Sequence, residues 1–294
     1  MSALQGKQAV LITGPTAGGK SALALEIARA RGGIIINADS MQVYDGLSVL
    51  TARPAATDLA AAPHRLYGHV PPGTAGSAAS WLNDVRGVLA SEPERLPVFV
   101  GGTGLYFRAL LGGLSAMPDI PDEVRAYWRN RLAEDGAPAL HAVLALADPQ
   151  TARILKEGDG QRIVRALEVF AASGRPISEW QKMQGTPLID VETAHKIVVM
   201  PERAVLHERI NRRFEQMIEC GAMEEVRGLL ALGLDPAMPV MKAIGVRELG
   251  AVLAGQLSIS EASMRAKAQT RQYAKRQMTW IRNQLGADWQ SYRR

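Results

Sequence analysis

The chain has 294 residues, of which 47% are apolar, so it can bury the core of one large domain or two smaller ones. Its formal charge of +5 is concentrated near the end, where residues 261–294 hold eight lysines and arginines but two acids, which favours a polyanionic partner. The single cysteine, Cys220, excludes a disulfide framework within the chain, and the lack of a secretion signal or of about 18 consecutive apolar residues predicts a cytoplasmic protein that does not enter a membrane.

Three short apolar runs in the first third of the chain predict buried strands. They are QAVLIT at 8–13, GIIINADS at 33–40 and PVFVGGTGLY at 97–106. Between the first two, SALALEIARAR has apolar residues at helical spacing and ends at Gly32-Gly33, a helix stop. Strand, helix and strand in this order predict a βαβ unit and a parallel sheet, and such sheets bind ligands beyond the carboxyl ends of their strands.

The first strand is followed by GPTAGGKS at residues 14–21, which has the spacing of a P-loop. The backbone N–H groups of such a loop bind phosphates, while Lys20 reaches a terminal phosphate and the Ser21 hydroxyl holds Mg²⁺. So short a pattern can occur by chance, but its place between a predicted strand and a predicted helix is the context that a P-loop requires. We therefore predict a phosphate site in a P-loop NTPase-like core.

Two further segments fall at the same edge of the predicted sheet. Asp39 follows the second strand, where a carboxylate can hold Mg²⁺ or accept a proton, or can simply form a turn. The third strand ends in Gly101-Gly102-Thr103, where a P-loop NTPase usually carries an aspartate that supports Mg²⁺. The glycines permit close backbone approach and Thr103 offers a hydroxyl, unless the segment is only a tight turn. The missing acid weakens an ATPase interpretation, although Asp39 could replace it.

The middle of the chain predicts a helical insertion. Residues 112–122 are rich in glycine and proline, helical patterns without a convincing strand follow, and HKIVVM at 195–200 predicts a return to the sheet. We predict an α/β core with a parallel sheet flanked by helices, formed by residues 1–115 and 195–294 and interrupted by a helical insertion domain at 116–194. Everything after the last of these strands is predicted to be helical.

Basic residues recur at helical spacing in the second half of the chain. Arg162 and Arg165 share a helical face, as do Arg209 and Arg213, and the predicted final helix aligns four more. These four are Lys267, Arg271, Lys275 and Arg282, on a helix that begins with a capping box from Ser258 to Glu261. Each group alone is most simply a solvated face, but together they favour a track for a nucleic-acid backbone.

In this order the motifs resemble those of the tRNA dimethylallyltransferases, also called tRNA isopentenyltransferases, over nearly the whole chain. The matching segments are GPTAGGKS at 14–21, DSMQVY at 39–44, ARP at 52–54, VGGTGLYFRALLGGL at 100–114, DEVRA at 122–126, QRIVRALEV at 161–169, SGRPIS at 173–178, LHERINRRF at 206–214, AIGVREL at 243–249 and YAKRQMTWIR at 273–282. A P-loop alone is weak evidence, whereas the ordered set is highly specific.

The resemblance implies that a dimethylallyl group passes from dimethylallyl diphosphate to N6 of the adenosine 3′ of the anticodon, tRNA position 37, in tRNAs that read codons beginning with U. The products are N6-isopentenyladenosine and diphosphate. The P-loop then holds the diphosphate of the isoprenoid rather than the tail of ATP, with Mg²⁺ as cofactor. The tRNA partner presents its anticodon stem-loop, and we expect a monomer.

The resemblance also assigns roles to residues. Asp39 is the catalytic base and Thr103 lies beside it at the reacting centre. The donor site is Gly14, Pro15, Thr16, Ala17, Gly18, Gly19, Lys20, Ser21 and Arg213, with Ser21 holding Mg²⁺ through the diphosphate. The tRNA-binding residues are Asp39, Ser40, Met41, Gln42, Thr103, Arg125, Gln161, Arg162, Ile163, Val164, Arg165, Lys242 and Arg247, so that the insertion domain contacts tRNA.

Four residues depart from the pattern of this family. Gly18 stands where it usually has Ser, Leu50 and Arg53 replace a Gly and a Lys, and Val246 replaces a Tyr. These departures leave the shape of one loop and one tRNA contact open, but not the reaction. No zinc is expected, because the zinc-finger extension of eukaryotic relatives is absent and the five histidines lack metal-ligand spacing.

Two other functions are compatible with the residues alone. A small-molecule P-loop kinase would use ATP but leaves the basic tail unexplained. An RNA-binding module with a nucleotide switch leaves Asp39 and Thr103 without a role. The thiol of the single cysteine, Cys220, is expected to be buried and to have a structural role.

Overall fold

The structure, a computed structural model, describes residues 8–183 and 185–293. The chain divides into two compact units, residues 1–111 with 188–294 and residues 112–187. The predictions for the first seven residues and for Arg294 of the basic tail lie outside the described ranges. No helix within those ranges has the length and apolarity needed to span a bilayer.

The larger unit is built on a six-stranded sheet in the order β3-β2-β4-β1-β5-β6. The strands are β1 (Ala9–Thr13), β2 (Ile34–Asn37), β3 (His64–Arg65), β4 (Pro97–Gly101), β5 (Ala194–Val199) and β6 (Gln290–Tyr292). Every pair of neighbouring strands is parallel, so their carboxyl ends all lie at one edge. The predicted α/β fold with a parallel sheet is confirmed, and the P-loop follows the strand between β4 and β5.

Twelve α-helices occur among the described residues. They are α1 (Lys20–Arg31), α2 (Ala56–Ala61), α3 (Ala78–Ser91), α4 (Gly104–Gly112), α5 (Asp122–Ala147), α6 (Pro149–Ile154), α7 (Gly160–Ser173), α8 (Ile177–Trp180), α9 (Arg203–Glu219), α10 (Ala222–Ala231), α11 (Val246–Leu253) and α12 (Ile259–Gln284). The capping box predicted at Ser258 is present at the start of α12, where the Ser258 hydroxyl accepts from the Glu261 N–H. The capping box therefore begins this helix as expected.

The long apolar runs form the sheet because it is covered on both faces. All residues of β1, β2, β4 and β5 are buried, and Val10 and Ile12 pack with Leu23 and Ile27 of α1 in one core cluster. Continuous apolar strands of this kind suit a parallel sheet between helical layers. The expectation that only helices follow β5 is wrong at β6, whose three residues are too few to show a period.

Helices α5 to α8 make up the regular secondary structure of the smaller unit within its described residues, and loops connect them. Gly136, at φ +80°, interrupts α5 two residues before Pro138, so α5 is two helices joined at a kink. Its core is apolar, with Leu140 and Leu144 of α5 packed against residues of α7. The chain leaves and re-enters the larger unit at adjacent points, since the N–H of Leu188 donates to the carbonyl of Leu110 at 2.9 Å.

An ion pair ties the last strand to the sheet. Lys196 of β5 is only 6% exposed and donates to the Asp288 carboxylate and, at 2.9 Å, to the carbonyl of Val191. The hydrogen bond from Lys196 lowers the pKa of Asp288, outweighing the opposite effect of burial. A carboxyl whose pKa is lowered by folding stabilises the native state above its unfolded pKa of about 3.9, and this contribution is lost as pH falls through the lower folded pKa.

Replacing Asp288 by Asn should therefore lower the free energy of unfolding at pH 7 by about 1–3 kcal/mol, because the buried Lys196 ammonium loses its charged acceptor. The difference from wild type should shrink as the pH falls below the unfolded pKa of about 3.9 towards the lower folded pKa of Asp288. Denaturant titrations at pH 7 and pH 3.5 measure both quantities. Glu94→Gln, on an exposed carboxylate, is the control and should change little. A loss that is equal at both pH values would contradict this role of the ion pair.

Candidate active site

The P-loop leaves the carboxyl end of β1 and turns into α1 in a conformation that needs its glycines. A Cβ atom on Gly14 would lie 2.5 Å from the carbonyl oxygen of Val199, so no larger residue fits beside β5. Gly19 precedes α1 at φ +94°. A Cβ on Gly18 would lie 2.8 Å from the carbonyl of Pro15, which shows that serine at this position needs a slightly wider loop. Lys20 Nζ donates to that same carbonyl at 2.8 Å.

Asp39 sits beyond the end of β2 in a turn of its own. Its N–H donates to Asn37 Oδ1 at 2.8 Å, and its Oδ1 accepts from the Met41 N–H at 3.0 Å. Asp39 therefore does form a turn, the alternative that the sequence left open. Among the described residues only Met41 hydrogen bonds to this carboxylate, so Oδ2 stays available for a reacting group.

Gly101, which ends β4, and Gly102, which follows it, bring Asp39 towards the P-loop. A Cβ on Gly101 would lie 2.0 Å from the carbonyl of Ala38, so the backbone before Asp39 crosses directly over the end of β4. A Cβ on Gly102 would lie 3.5 Å from Asp39 Oδ2. Glycine is required at Gly101 for close approach, as one of the two interpretations of this segment predicted. The carboxylate of Asp39, which follows β2, thus lies beside Gly102 at the end of β4.

Thr103 holds the Asp39 turn in place. Its hydroxyl oxygen accepts from the N–H of Ser40 at 2.9 Å, and the hydroxyl donates to Ser40 Oγ at 3.2 Å. The backbone N–H of Thr103 donates to the carbonyl of Ala38 at 3.2 Å. These contacts place Thr103 next to Asp39 and give its hydroxyl a structural task in the structure as it stands.

Arginines from α9 close the other side of the P-loop. Arg213 Nη2 donates to Thr16 Oγ1 at 2.6 Å. Arg209 and Arg212 line the same cavity, and no ion pair or hydrogen bond joins either guanidinium to another described residue. With Lys20, four cationic side chains face a cavity that holds one carboxylate, Asp39. The excess of positive charge suits a polyanionic ligand.

The cavity between these elements has a volume of about 320 Å³. It is lined by the P-loop from Thr16 to Ser21, Asp39, Gln42, Thr51, Ala52 and the α9 arginines, among others. Burial lowers the pKa of Lys20 to about 8, with Asp39 opposing and Arg213 reinforcing the shift. Burial also lowers the pKa of Arg213, and the Asp39 charge opposes this. An anion that enters the cavity would therefore restore a favourable partner to two desolvated cations.

One residue that the sequence did not single out bridges both halves of the site. Gln277 of α12 is 6% exposed; its Oε1 accepts from the N–H of Thr16 at 2.8 Å, and its Nε2 donates to the carbonyl of Gly102 at 3.1 Å. The amide thus fixes the distance between the P-loop and the segment that supports Asp39. Its place inside the motif YAKRQMTWIR was the available signal, but nothing in the spacing says which side chain turns inward.

Aromatic residues of α3 and α4 support the Asp39 turn from beneath. Trp81 Nε1 donates to the carbonyl of Asn37 at 2.9 Å, and the Trp81 ring stacks on Tyr106 with centroids 4.1 Å apart. Neither contact was predicted, and α3 itself was not assigned. The capping pair Ser77 and Ser80 before its apolar residues was the signal that could have located this helix.

Three of the departures from the family pattern are accommodated by packing. Leu50 is 8% exposed and fills the space left by Gly245, where a Cβ would lie 2.8 Å from Leu50 Cδ2. Arg53 donates to the carbonyl of Tyr44 at 3.2 Å. Val246 is buried, so its side chain is part of the core and not of the surface.

The residues predicted to bind tRNA differ in exposure. In the larger unit, Ser40, Met41 and Gln42 are half-buried, whereas Lys242 and Arg247 are exposed. In the smaller unit, Arg125 donates to the carbonyl of Ile120 at 3.2 Å, Gln161 and Arg162 are exposed and Arg165 is half-buried beside Glu168. Ile163 and Val164 lie in the core of the smaller unit, so their side chains do not face an RNA surface.

Part of the basic stripe on α12 is used inside the protein. Lys267 Nζ donates to Glu215 Oε1 at 2.6 Å and Arg271 Nη1 to Asn211 Oδ1 at 2.9 Å, both on α9. Two of the four stripe residues therefore have partners on α9. Cys220, expected to be buried, is exposed at the end of α9, where the helix stops before the thiol can reach the core.

Comparison with known proteins identifies the family. A model described as IPP transferase matches residues 42–284, and a second, described as isopentenyl transferase, matches residues 7–69. The chain belongs to the IPP transferase family. This confirms the family predicted from the ordered motifs, and members of it share the P-loop NTPase-like core.

Relatives of this chain match over 70% or more of their own length. A tRNA dimethylallyltransferase of Chelativorans sp. (strain BNC1) is 60% identical, with 97% of this chain and 98% of the relative aligned. One of Mesorhizobium japonicum is 61% identical over 98% of this chain and 90% of the relative. The crystal structure of the full-length tRNA isopentenylpyrophosphate transferase of Bacillus halodurans is 31% identical, covers 98% of this chain and 90% of its own, and has a TM-score of 0.68. The structure of a eukaryotic dimethylallyltransferase acting on tRNA has a TM-score of 0.78 and is 25% identical. The match covers 94% of this chain and 70% of the eukaryotic chain.

Proposed function

We propose that the chain transfers a dimethylallyl group from dimethylallyl diphosphate to N6 of adenosine 37 in tRNAs that read codons beginning with U. The observation that carries this proposal is the cavity in which one carboxylate, Asp39, faces a P-loop and four cationic side chains. The names of the IPP transferase relatives support the same substrate class. A kinase would need the same phosphate site, but no observation of the structure favours that activity.

The phosphate side of the cavity would bind the leaving group. As the allylic C–O bond breaks, negative charge grows on the diphosphate and positive charge on the allyl group. The P-loop N–H groups, Lys20 and Arg213 are fixed in the cavity before the reaction, so they stabilise the departing anion without rearranging. Binding of that anion also offsets the cost of burying Lys20.

The residues present fit a magnesium ion that reaches the site with the diphosphate. Ser21 lines the cavity, and the described residues contain no group of three His, Cys, Asp or Glu side chains able to hold a metal alone. Mg²⁺ commonly keeps a few protein ligands and takes its others from phosphate and water. When bound, it would neutralise part of the charge on the leaving group.

The acceptor side of the cavity would take the adenine amine. A bond forms between N6 and the allylic carbon as the C–O bond breaks, and one N6 proton passes to Asp39 Oδ2 while diphosphate leaves. The exocyclic amine is a weak nucleophile, so a base beside it lowers the barrier. The target adenine must leave the base stack of the tRNA to enter the cavity. This costs about a few kcal/mol, which contacts along the anticodon stem offset.

The tRNA partner would be held by exposed and half-buried polar and basic residues of both units, and the enzyme would act as a monomer in the cytoplasm. In the larger unit these are Lys242 and Arg247, with Lys275 and Arg282 of α12; in the smaller unit they are Arg125, Gln161, Arg162 and Arg165. Contacts to phosphates give affinity that falls with salt. Ser40, Met41 and Gln42 lie next to Asp39 and would contact the target nucleotide itself.

A donor comparison tests the proposed function. The protein, Mg²⁺ and unmodified tRNA are incubated with dimethylallyl diphosphate or with ATP, and the digested nucleosides are weighed. We expect an adenosine heavier by one dimethylallyl group with the isoprenoid donor alone. Unmodified adenosine together with ATP consumption would overturn the proposal in favour of a kinase.

Gln277→Glu should give an active site whose activity depends on pH in a new way. A protonated Glu has the shape and hydrogen-bonding groups of Gln, but a carboxylate cannot donate to Gly102 and lies close to Asp39. We expect a roughly tenfold to hundredfold lower turnover at pH 8 and a rise in the ratio to wild type as pH falls towards 6. Gln272→Glu, on the exposed side of α12, should follow the wild-type profile. A Gln277→Glu profile parallel to wild type would argue against the bridge.

A further inference from the structure

The carboxylate of Glu225, on α10, gathers four hydrogen bonds from a single loop. Its Oε1 accepts from the Ser48 N–H at 2.6 Å, the Ser48 hydroxyl at 2.7 Å and the Val49 N–H at 2.7 Å, and its Oε2 accepts from the Leu50 N–H at 3.0 Å. Glu225 lies outside every motif that carried the resemblance to the family. So many donors on one half-buried side chain show that it does more than make the surface polar.

Three successive backbone N–H groups that converge on one point form an anion-binding concavity. Here the concavity is residues 48–50, and the anion is a side chain of the same chain rather than a ligand. The loop has backbone hydrogen bonds of its own, from the Ala52 N–H to the Val49 carbonyl and from the Arg53 N–H to the Ser48 carbonyl, both at 2.9 Å. Without Glu225, the N–H groups of residues 48–50 would lose the acceptor that they share. The loop also contains Ala52 at φ +54°, a conformation that a non-glycine residue adopts only when its surroundings impose it.

The far end of this loop forms one wall of the active-site cavity. Gln42 Nε2 donates to the carbonyls of Thr51 and Ala52 at 2.8 and 3.0 Å. Gln42, Thr51 and Ala52 line the cavity that also contains Asp39, three residues before Gln42. The position of the Gln42 amide is therefore set by two loop carbonyls, and the loop is set by Glu225.

The same loop contacts a second segment that is proposed to bind tRNA. Leu50, whose N–H binds Glu225, packs against Gly245 and lies beside Phe214 of α9. Gly245 is followed by α11, which carries the exposed Arg247. A shift of the loop would move both Gln42 and the support of residues 242–247, while the P-loop, held by Gln277 and Arg213, would keep its place.

We propose that Glu225 is a positioning residue for the acceptor. Its carboxylate occupies the concavity of residues 48–50 as an internal anion and so aligns Gln42 for the tRNA nucleotide, without touching the donor. This role rests on the proposed transfer to tRNA. Variants of Glu225 should therefore have a lower kcat/KM for tRNA and an unchanged affinity for dimethylallyl diphosphate. A general loss of folding would lower both.

The test compares Glu225→Ala and Glu225→Gln with Glu224→Ala. Glu224 is the neighbouring carboxylate on α10 and pairs with Arg227 alone among the described residues, so it is a matched control. For Glu225→Ala we expect a roughly tenfold to hundredfold lower kcat/KM for tRNA, with the dissociation constant for dimethylallyl diphosphate within about twofold of wild type. Glu225→Gln keeps an acceptor oxygen, so its kcat/KM for tRNA should lie between those of Glu225→Ala and wild type.

Chemical rescue gives the decisive readout. Acetate or formate should enter the vacated concavity of Glu225→Ala and restore tRNA turnover severalfold, with no gain for wild type or Glu224→Ala. Hydrogen exchange at the amides of residues 48–50 should rise in Glu225→Ala and fall again with acetate. Normal kcat/KM in the alanine variant, or a defect that acetate corrects in neither assay, would overturn the proposal. If the alanine variant does not fold, a Glu225→Gln variant with wild-type kcat/KM would overturn it equally.

The exchange measurement also separates this proposal from the proposed function. It needs no turnover, so protection of residues 48–50 that depends on Glu225 and is restored by acetate would support the internal anion even if wild-type protein failed to modify tRNA. In that case the failed donor comparison would rule out the role of Glu225 in positioning the tRNA acceptor, while the exchange result for residues 48–50 would still stand.

Discussion

Replacing Asp39 by Asn should lower turnover of tRNA by about 10²–10⁴-fold, the usual contribution of a general base. Asn keeps the shape of the side chain and can still accept from the Met41 N–H, so the turn should survive. What is lost is the oxygen that takes the N6 proton. Affinity for dimethylallyl diphosphate should be equal to wild type or higher, because a negative charge leaves a cavity that binds an anion.

Single-turnover measurements with saturating donor and tRNA isolate this step from binding. Asp45→Asn, on an exposed carboxylate of the same segment, is the control and should retain nearly full turnover. If Asp39→Asn stayed within about threefold of wild type, the proton would have to go elsewhere, and Asp39 would be left with the turn as its only role.

The second large effect concerns Lys20 and pH. Its pKa of about 8 in the empty site means that half of the molecules lose this charge near pH 8. Diphosphate binds best to the protonated ammonium, so the complex must take up a proton wherever the free lysine is neutral. Affinity should therefore be constant below about pH 7 and fall up to tenfold per pH unit above 8, until the higher pKa of the complex is reached.

Calorimetry with dimethylallyl diphosphate in the absence of tRNA, between pH 7 and 9.5, measures this dependence, because an esterified diphosphate completes its last ionisation near about pH 6. Repeating it in buffers of different ionisation enthalpy counts the proton taken up. Lys20→Met should bind more weakly and lose the dependence, whereas Lys275→Met, an exposed cation outside the cavity, should keep it. Equal affinities at pH 7 and 9.5 for wild type would contradict the lowered pKa.

Local patterns predicted the parts of the fold that are locally determined. Four apolar runs became β1, β2, β4 and β5, because a strand buried on both faces must be apolar along its whole length. The P-loop was recognisable because its glycines are needed by the backbone itself. The strands β3 and β6 have two and three residues, too few for any period to appear.

The contacts within the site were beyond the reach of such patterns. Gln277 meets Thr16 across 261 positions in the chain, and Glu225 meets Ser48 across 177. Nothing near Gln277 distinguishes it from an exposed helical glutamine, because only the packing of α12 against the P-loop turns it inward. The same limit explains Ile163 and Val164, which lie inside a predicted tRNA-binding stretch but face the core that their helix must bury.

The entry and exit of the smaller unit at Leu110 and Leu188 have a consequence for how such enzymes can change. The two residues are hydrogen bonded to each other within the larger unit, and no strand of the sheet comes from the described part of residues 112–187. The chain therefore leaves the larger unit and returns to it at neighbouring residues. Lengthening, shortening or exchanging the smaller unit between relatives would break no strand pairing, so substrate range could diverge there while the catalytic framework stays constant.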